Sequence, residues 1–394
     1  MAIGLMSAAA SFISVFVIRL GATPLWVGLL SSIPAFISLT MAIPWAQFAA
    51  RQTKPQRVFA IARAYAHAVY ILLAVIPFFP SSKALTQLIV IVWSLTALPG
   101  SLQNVMFSVV MGHAVSPDRR SFLMSRRWMF MGIVKIASIP LISQLIERVR
   151  FPLGYQIAFG LNVVFAVGAF YFASQLSVQE RERIEPPKNA PLIERIKQGF
   201  AEVWEAKAFL AFVSGRAIRN LGMAIVSAII PIYWVNHLQA SDTWVGYFNT
   251  MLSAATLISY IPWVRLKRKV GTWQTLILAV LGTSLYPALL SLTRSPVAVL
   301  PVIAFNGLAG AGLNLAYFDV LLDTCPPDKQ ERFIAVNVTA VNITSFLGPT
   351  IGAGLLAIMP IRWVLVSGSA VALIGLAIFI FVGIGKKTRV EGTP

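Results

Sequence analysis

Ionisable residues interrupt the long apolar stretches of this chain at only a few points, and they are the first candidates for chemistry. Lys135 lies near the middle of the fifth stretch, and Arg216 and Arg219 lie near the start of the seventh. Asp319 and Asp323 lie four residues apart in the tenth, so a helix places both carboxylates on one face. A charge removed from water is costly unless it is paired or used, so these residues are candidates for substrate binding, proton transfer or gating.

Two asparagines join the basic residues as candidates for lining a substrate cavity. An amide within apolar surroundings either binds a polar group in a cavity or holds two helices together. Lys135 also has two interpretations, contact with an anionic substrate or a structural role in which the side chain extends towards the interface. The substrate-cavity candidates are Lys135, Asn104, Asn314, Arg216 and Arg219.

Signatures of enzymes and of bound cofactors are absent from the sequence. The segment 383–388 resembles the end of a phosphate-binding loop, but Ile380 stands where that loop needs its first glycine. The sequence has no nucleophile elbow, no His or Cys cluster with metal-ligand spacing and no dinucleotide fingerprint. We therefore expect no enzymatic activity, no metal and no cofactor.

Composition places these residues in a membrane. Of the 394 residues, 57% are hydrophobic and only 12% are charged, which is too few charges for a soluble protein of this length. Apolar stretches long enough to cross a hydrocarbon layer of about 30 Å follow one another along the chain. The predicted spans, one to twelve, are 2–18, 25–48, 58–79, 85–114, 127–146, 153–175, 208–235, 243–264, 273–293, 297–323, 333–357 and 362–384.

The net charge of +18 raises the question of a nucleic-acid partner, and the distribution of the charge argues against one. The even-numbered connections, with Arg63 and the C-terminal tail, carry 23 of the 32 lysines and arginines, whereas the odd-numbered connections carry six. Lysine and arginine collect on the cytoplasmic side of membrane proteins. We therefore expect an integral membrane protein, in the inner membrane of a prokaryote, with both termini in the cytoplasm and no nucleic-acid partner.

The two halves of the sequence repeat each other, as in transporters built from two related bundles. Residues 26–28 (Trp-Val-Gly) and 43–45 (Ile-Pro-Trp) return 218 positions later, at 244–246 and 261–263. Four further residues return at an offset of 210, namely Gly100, Asn104, Pro117 and Asp118 as Gly310, Asn314, Pro327 and Asp328. The repeat predicts an all-α membrane protein with twelve transmembrane helices in two pseudo-symmetric six-helix bundles.

The longest hydrophilic connection separates the two halves. It divides the chain into an N-terminal bundle at 1–175, a cytoplasmic linker at 176–207 and a C-terminal bundle at 208–394. Apolar residues at three- to four-residue spacing after Pro191 predict an amphipathic helix in the linker. The offset of 218 places the counterpart of the start of span seven ahead of Met1, so we expect an N-terminal truncation or a late start codon.

Twelve spans in two similar halves with a long central loop resemble the major facilitator superfamily. That family carries a glycine-rich loop motif with one acidic and several basic residues between spans two and three. Here the basic residues Arg51 and Lys54 match it, while Ala50 replaces the acid; in the equivalent loop Lys269 and Gly271 match. Asp118 and Asp328 remain as acidic partners for these loops. The segment 348–354 also resembles a Gly-Pro element of antiporters, but close helix packing is the simpler interpretation.

The resemblance implies that spans one, four, seven and ten surround a central cavity. Spans seven and ten are then neighbours, so Arg216 or Arg219 is expected to pair with Asp319 or Asp323. Such a pair is either a gate or structural ion pair, or a proton-coupling carboxylate whose arginine leaves during transport. The resemblance thus implies a secondary active transporter of a small solute, anionic or amphiphilic, coupled to protons. The alternatives are a multidrug-type exporter of hydrophobic compounds and a non-transporting, partner-binding or assembly member of the same fold.

Overall fold

A computed structural model describes residues 2–76, 83–114, 117–175, 206–326 and 330–381. Every regular element in these ranges is a helix. The helices are Ala2–Ala10, Ile13–Arg19, Pro24–Ala50, Pro55–Val75, Lys83–Leu95, Ala97–Ala114, Pro117–Arg148, Leu153–Ser174, Lys207–Ser227, Ile229–Ile232, Asp242–Val270, Thr272–Ser291, Pro296–Thr324, Gln330–Ile358 and Ile361–Phe381, with a π-helical turn at Tyr233–His237.

These helices account for all twelve predicted spans. Ten helical stretches of the described chain are long and apolar enough to cross a membrane, and Ile3–Arg19 is a shorter apolar helix. Span eight is the helix Asp242–Val270, whose last turn carries Lys267, Arg268 and Lys269. The protein is therefore an all-α integral membrane protein, as the hydropathy pattern predicts.

The chain divides into two compact units. The first comprises the described part of residues 1–188 together with 234–250, and the second comprises the described part of 189–233 and 251–394. The first unit thus contains spans one to six with the end of span seven and the start of span eight. The predicted domain boundaries at 175 and 208 stay predictions, and the predicted amphipathic helix of the linker lies outside the described residues.

Aromatic side chains form the centre of each unit. In the first, the Phe16 ring stacks on Tyr155 at 4.6 Å between centroids and meets Phe159 edge-on at 5.6 Å. In the second, Phe212 meets Tyr317 edge-on at 6.1 Å. Both tyrosines are buried, so the two cores hold Tyr155 and Tyr317 in place beside charged groups of spans one and seven.

The repeated tryptophan of the Ile-Pro-Trp element makes related contacts in both units. In the second unit, Trp263 donates from Nε1 to the carbonyl of Leu308 in span ten, at 2.6 Å. In the first, Trp45 donates to the Ser101 hydroxyl at 3.0 Å, and that hydroxyl donates to the carbonyl of Leu98 at 2.9 Å. Leu98 and Leu308 are themselves 210 positions apart. The repeat therefore preserves a tie between spans two and four, and between eight and ten.

Spans seven and eleven pack closely because span eleven presents glycines to its neighbour. A Cβ added at Gly348 or Gly352 would overlap Ala224 or Ile225 of span seven. Beside this contact, Asn220 donates to the hydroxyls of Thr344 and Ser345, at 2.8 and 3.0 Å. The structure thus supports the packing interpretation of the Gly-Pro element.

We expect Gly352→Ala to destabilise the second unit by about 1–3 kcal/mol, because the added methyl group meets the backbone carbonyl of Ile225. The measurement is the thermal unfolding of the purified protein in detergent. Gly354→Ala is the matched control, since an added Cβ there meets nothing within 4 Å. Equal melting temperatures for the two variants would contradict the packing account.

Candidate functional site

Two arginines of span seven share one tyrosine of span ten. The Arg216 guanidinium lies over the Tyr317 ring, 4.4 Å from its centroid. The Arg219 guanidinium interacts electrostatically with the hydroxyl of the same tyrosine. Arg219 is buried, and its Nε has no hydrogen-bond partner among the described residues. Buried polar groups are normally satisfied, so this free donor, with a second arginine beside it, forms a candidate site for a polar, negatively charged group.

The predicted pairing of these arginines with Asp319 or Asp323 is wrong for this structure. Asp319 forms an ion pair with Lys267 of span eight instead. Two residues along an α-helix rotate the side chain by about 200°, so Asp319 points away from the face on which Tyr317 meets span seven. Asp323 is exposed and forms no ion pair with a described residue.

The Lys267–Asp319 pair belongs to the second half of the repeat alone. The equivalent positions of the first half are Ala49, 218 residues earlier, and Val109, 210 residues earlier. Ala49 is buried in an apolar cluster against which Val109 packs. A half-buried ion pair therefore occupies in one half the place of an apolar contact in the other, and only the former can open and close with protonation.

The remaining substrate-cavity candidates have no acidic partner among the described residues. Lys135 is half-buried in span five and makes no ion pair or hydrogen bond with a described residue. Asn104 and Asn314 are both exposed on their spans, as expected for equivalent positions of a repeat. The Asn314 amide lies 3.4 Å from the Tyr260 hydroxyl, whereas the Asn104 side chain has no such contact among the described residues.

The residues of the loop motif lie at the ends of their spans. Arg51 and Lys269 are exposed and Lys54 is half-buried. Gly271 has φ +90°, in the left-handed region where other residues are strained, and it starts the helix of span nine. The Asp118 side chain and Asp328 lie outside the described residues, so their predicted roles stay predictions.

A hydrogen-bonded ion pair that the sequence analysis did not identify lies in the first unit. Arg19, at the end of span one, donates from Nε to Asp242 and from Nη2 to the carbonyl of Ala240, both at 2.9 Å. The Tyr155 hydroxyl donates to the same Asp242 oxygen at 2.5 Å. Asp242 is buried and is the acidic residue of the first turn of span eight, where the helix dipole favours a negative charge.

This pair has a further hydrogen bond beside it. Glu147, at the end of span five, accepts from the backbone N–H of Thr243 at 3.1 Å. Glu147, Asp242 and Arg19 also line a cavity of about 790 Å³ with Arg148 and Arg150. In the sequence, Asp242 stands out only as a single acid two residues before the repeated Trp244. Its partners Arg19 and Tyr155 are more than 80 residues away, so no local pattern identifies them.

Residues 213–393 match the sequence model of the Major Facilitator Superfamily. This match assigns the C-terminal half of the chain to the major facilitator superfamily. The family consists of transporters, which supports at family level the expectation that the protein is not an enzyme. No curated protein matches this chain.

Solved structures of other transporters share the fold. The nucleoside transporter NupG is 11% identical with a TM-score of 0.69, over 97% of this chain and 99% of that one. A bacterial homologue of the iron transporter ferroportin is 14% identical with a TM-score of 0.70, over 97% and 95%. A bacterial homologue of the human lysosomal transporter Spinster is 13% identical with a TM-score of 0.68, over 96% and 95%. At these identities the likeness shows the fold alone.

Proposed function

We propose that this protein is a secondary active transporter that moves a small anionic or amphiphilic solute across the membrane by alternating access, coupled to protons. The observation that carries the proposal is the imbalance of unpaired charge within the spans. Lys135, Arg216 and Arg219 have no acidic partner among the described residues, whereas Asp319 is already neutralised by Lys267. Ionisable groups within spans mark substrate and ion pathways, and unpaired cations select for an anion.

The Arg216–Arg219–Tyr317 group supports the substrate-binding part of the proposal. An Arg guanidinium offers several donors in a planar fork that fits a carboxylate or a phosphate. The unsatisfied Arg219 Nε would gain a partner from such a ligand. Lys135, Asn104 and Asn314 are proposed as further cavity contacts on the basis of their spans and their equivalent positions in the repeat.

The similar transporters support transport as a function without selecting a substrate. Two of them are named for a solute, nucleosides and iron, and the third for the lysosomal transporter Spinster. Two different solutes on one fold agree with the general rule that function depends on the site and not on the fold. The anionic or amphiphilic preference proposed for this chain therefore rests on its own charged residues.

Asp319 and Asp323 are proposed to couple transport to protons or to gate it. Protonation of Asp319 would release Lys267, and the freed span end could then move. Asp323, one turn further along the same face, is the second carboxylate that a proton could reach. Both carboxylates lie in the last two turns of the span-ten helix, which ends at Thr324.

We further propose that the even-numbered connections and both termini face the cytoplasm, in the inner membrane of a prokaryote. The distribution of basic residues supports this orientation, with 23 on one side and six on the other. In that orientation the Arg19–Asp242–Tyr155 group lies at the outer end of its spans, and the Lys267–Asp319 pair lies at the inner end.

A thermal-stability screen of the purified protein tests the proposal. The panel contains monocarboxylates, dicarboxylates, phosphate esters, nucleosides, fatty acids and tetraphenylphosphonium, at acidic and at mildly alkaline pH. A ligand that binds only the folded state at a hundredfold excess over its dissociation constant adds about 2.7 kcal/mol of stability. We expect pH-dependent stabilisation by anionic solutes. Stabilisation by the hydrophobic cation alone would favour a multidrug-type exporter, and none from any solute would favour a non-transporting member.

A further inference from the structure

A second cavity lies within the first unit, between spans one, three, four, five and six. Its volume is about 760 Å³, which is within the range of roughly 300–1,000 Å³ that small-molecule sites occupy. Seven of its fifteen lining residues are phenylalanines or methionines, and two are arginines, Arg63 and Arg127. The aromatic and methionine residues of the wall are Phe59, Phe107, Phe130, Phe165, Phe172, Met111 and Met131.

The two arginines have no acidic partner among the described residues. The Arg63 guanidinium lies 5.8 Å from the Phe59 ring centroid, and its Nε is buried without a hydrogen bond to any described atom. The Arg127 guanidinium lies 4.4 Å from the Phe107 centroid and 5.2 Å from that of Trp128. The aromatic faces attract these cations but accept few of their hydrogen bonds. The two guanidinium groups also repel each other, so an anion between them would satisfy the donors and remove the repulsion.

The cavity opens sideways between spans five and six. Its rim residues Val164 and Phe172 of span six are 65% and 73% exposed, and Phe130 of span five is 46% exposed. An apolar rim is more stable against acyl chains than against water, so an opening of this kind fits the bilayer.

Polarity changes along the length of the cavity. Arg127 lies at the start of the membrane-crossing part of span five, Arg126–Arg148, which is the level of lipid headgroups. From there the wall continues along span six from Ala173 to Val164, about 13 Å at 1.5 Å per residue. One end of the cavity is therefore cationic and lies at the interface, and the rest is apolar and lies within the hydrocarbon layer.

We propose that this cavity binds an anionic phospholipid of the adjacent leaflet, with its phosphate between Arg63 and Arg127 and an acyl chain along the phenylalanines of spans five and six. Basic pockets between spans recognise anionic headgroups, and the charge and shape of this cavity match such an amphiphile. The site lies within one unit and is separate from the proposed transport residues. It does not depend on the proposed transport function.

Lipid retention measured by native mass spectrometry tests the headgroup contact. The purified protein is incubated with phosphatidylglycerol or with phosphatidylcholine of the same acyl chains. We expect Arg63→Gln and Arg127→Gln each to weaken phosphatidylglycerol binding about fivefold, by loss of one cationic contact near the interface. Arg265→Gln is the matched control, because Arg265 is an exposed arginine of an even-numbered connection that does not line the cavity.

A glycine pair in span six tests the acyl-chain contact. Gly168 lines the cavity, and a Cβ there meets nothing within 4 Å, so the side chain of Gly168→Leu extends into the cavity from an unobstructed Cβ. Gly160 lies in the same helix with the same free space but does not line the cavity. We expect Gly168→Leu to weaken phosphatidylglycerol binding about tenfold, by occluding the chain, and Gly160→Leu to leave it unchanged. Inorganic phosphate, which lacks a chain, should not compete.

A measurement on the unmodified protein tests the site without any substitution. Phosphatidylglycerol with a photoactivatable acyl chain is crosslinked to the protein, and the adducts are mapped by mass spectrometry. We expect adducts on Met131, Phe165 and Phe172. Adducts spread evenly over the apolar exterior would overturn the proposal. It would also be overturned by equal retention of phosphatidylcholine, by competition from inorganic phosphate, by an equal effect of Arg265→Gln, or by unchanged binding in Gly168→Leu.

Discussion

Replacing Asp242 with alanine is expected to lower the free energy of unfolding by about 2–3 kcal/mol. The substitution leaves the Arg19 guanidinium and the buried Tyr155 hydroxyl without their common acceptor. Breaking a fully buried pair costs about 3–5 kcal/mol, and the smaller value reflects the partial exposure of Arg19, whose side chain is 27% accessible. Chemical and thermal unfolding in detergent measure the change.

The control for Asp242→Ala is Glu147→Gln, because Glu147 is exposed and accepts only one backbone hydrogen bond. Its substitution should cost less than about 1 kcal/mol. Since Arg19 and Asp242 are direct partners, the double variant Arg19→Ala, Asp242→Ala should be less destabilised than the sum of the single variants. Strict additivity of the two effects would show that the pair does not hold the ends of spans one and eight together.

Replacing Asp319 with asparagine is expected to reduce the pH-driven accumulation of substrate at least about tenfold, while the protein stays folded. A proton can drive transport only through a group whose affinity for it differs between conformations, and asparagine has no such affinity. The Lys267–Asp319 pair is partly exposed, with both side chains 31% accessible, so its loss should change stability by no more than about 1 kcal/mol. Accumulation in proteoliposomes at defined pH gradients measures the effect.

Lys267→Gln separates the two roles of Asp319. If Asp319 couples protons, Lys267→Gln keeps a titratable carboxylate and still accumulates substrate in response to pH. If the pair is a gate alone, both variants should slow transport equally without removing its pH dependence. Unfolding of Asp319→Asn during purification would contradict the account, because the partial exposure of the pair predicts a folded protein.

The sequence predicted the spans well, because each span depends only on local hydropathy and length. Three helices begin at prolines, Pro24, Pro55 and Pro296, within three residues of the predicted span starts at 25, 58 and 297. The internal repeat also predicted which residues occupy equivalent positions, and the shared ties of Trp45 and Trp263 agree with it.

Partner choice could not be predicted in the same way, because it depends on the rotation of each helix about its axis. Arg216 meets Tyr317 and not Asp319, although these two residues lie only two positions apart in span ten. Hydropathy along span ten does not fix that rotation, since small and apolar residues cover most of its circumference. The Arg19–Asp242 contact joins residues 223 positions apart, so no local pattern could reveal it.

Solute exchange in proteoliposomes, with anions chosen from the stability screen, tests the central claim most directly. We compare the unmodified protein with Arg219→Gln, which removes the buried cation beside Tyr317, and with the exposed control Arg265→Gln. The account predicts exchange of an anionic solute by the unmodified protein and by Arg265→Gln, and exchange at least about tenfold slower in a folded Arg219→Gln, because a charged hydrogen bond to the solute is lost. Exchange of no anionic solute, or an unchanged rate in Arg219→Gln, would contradict it.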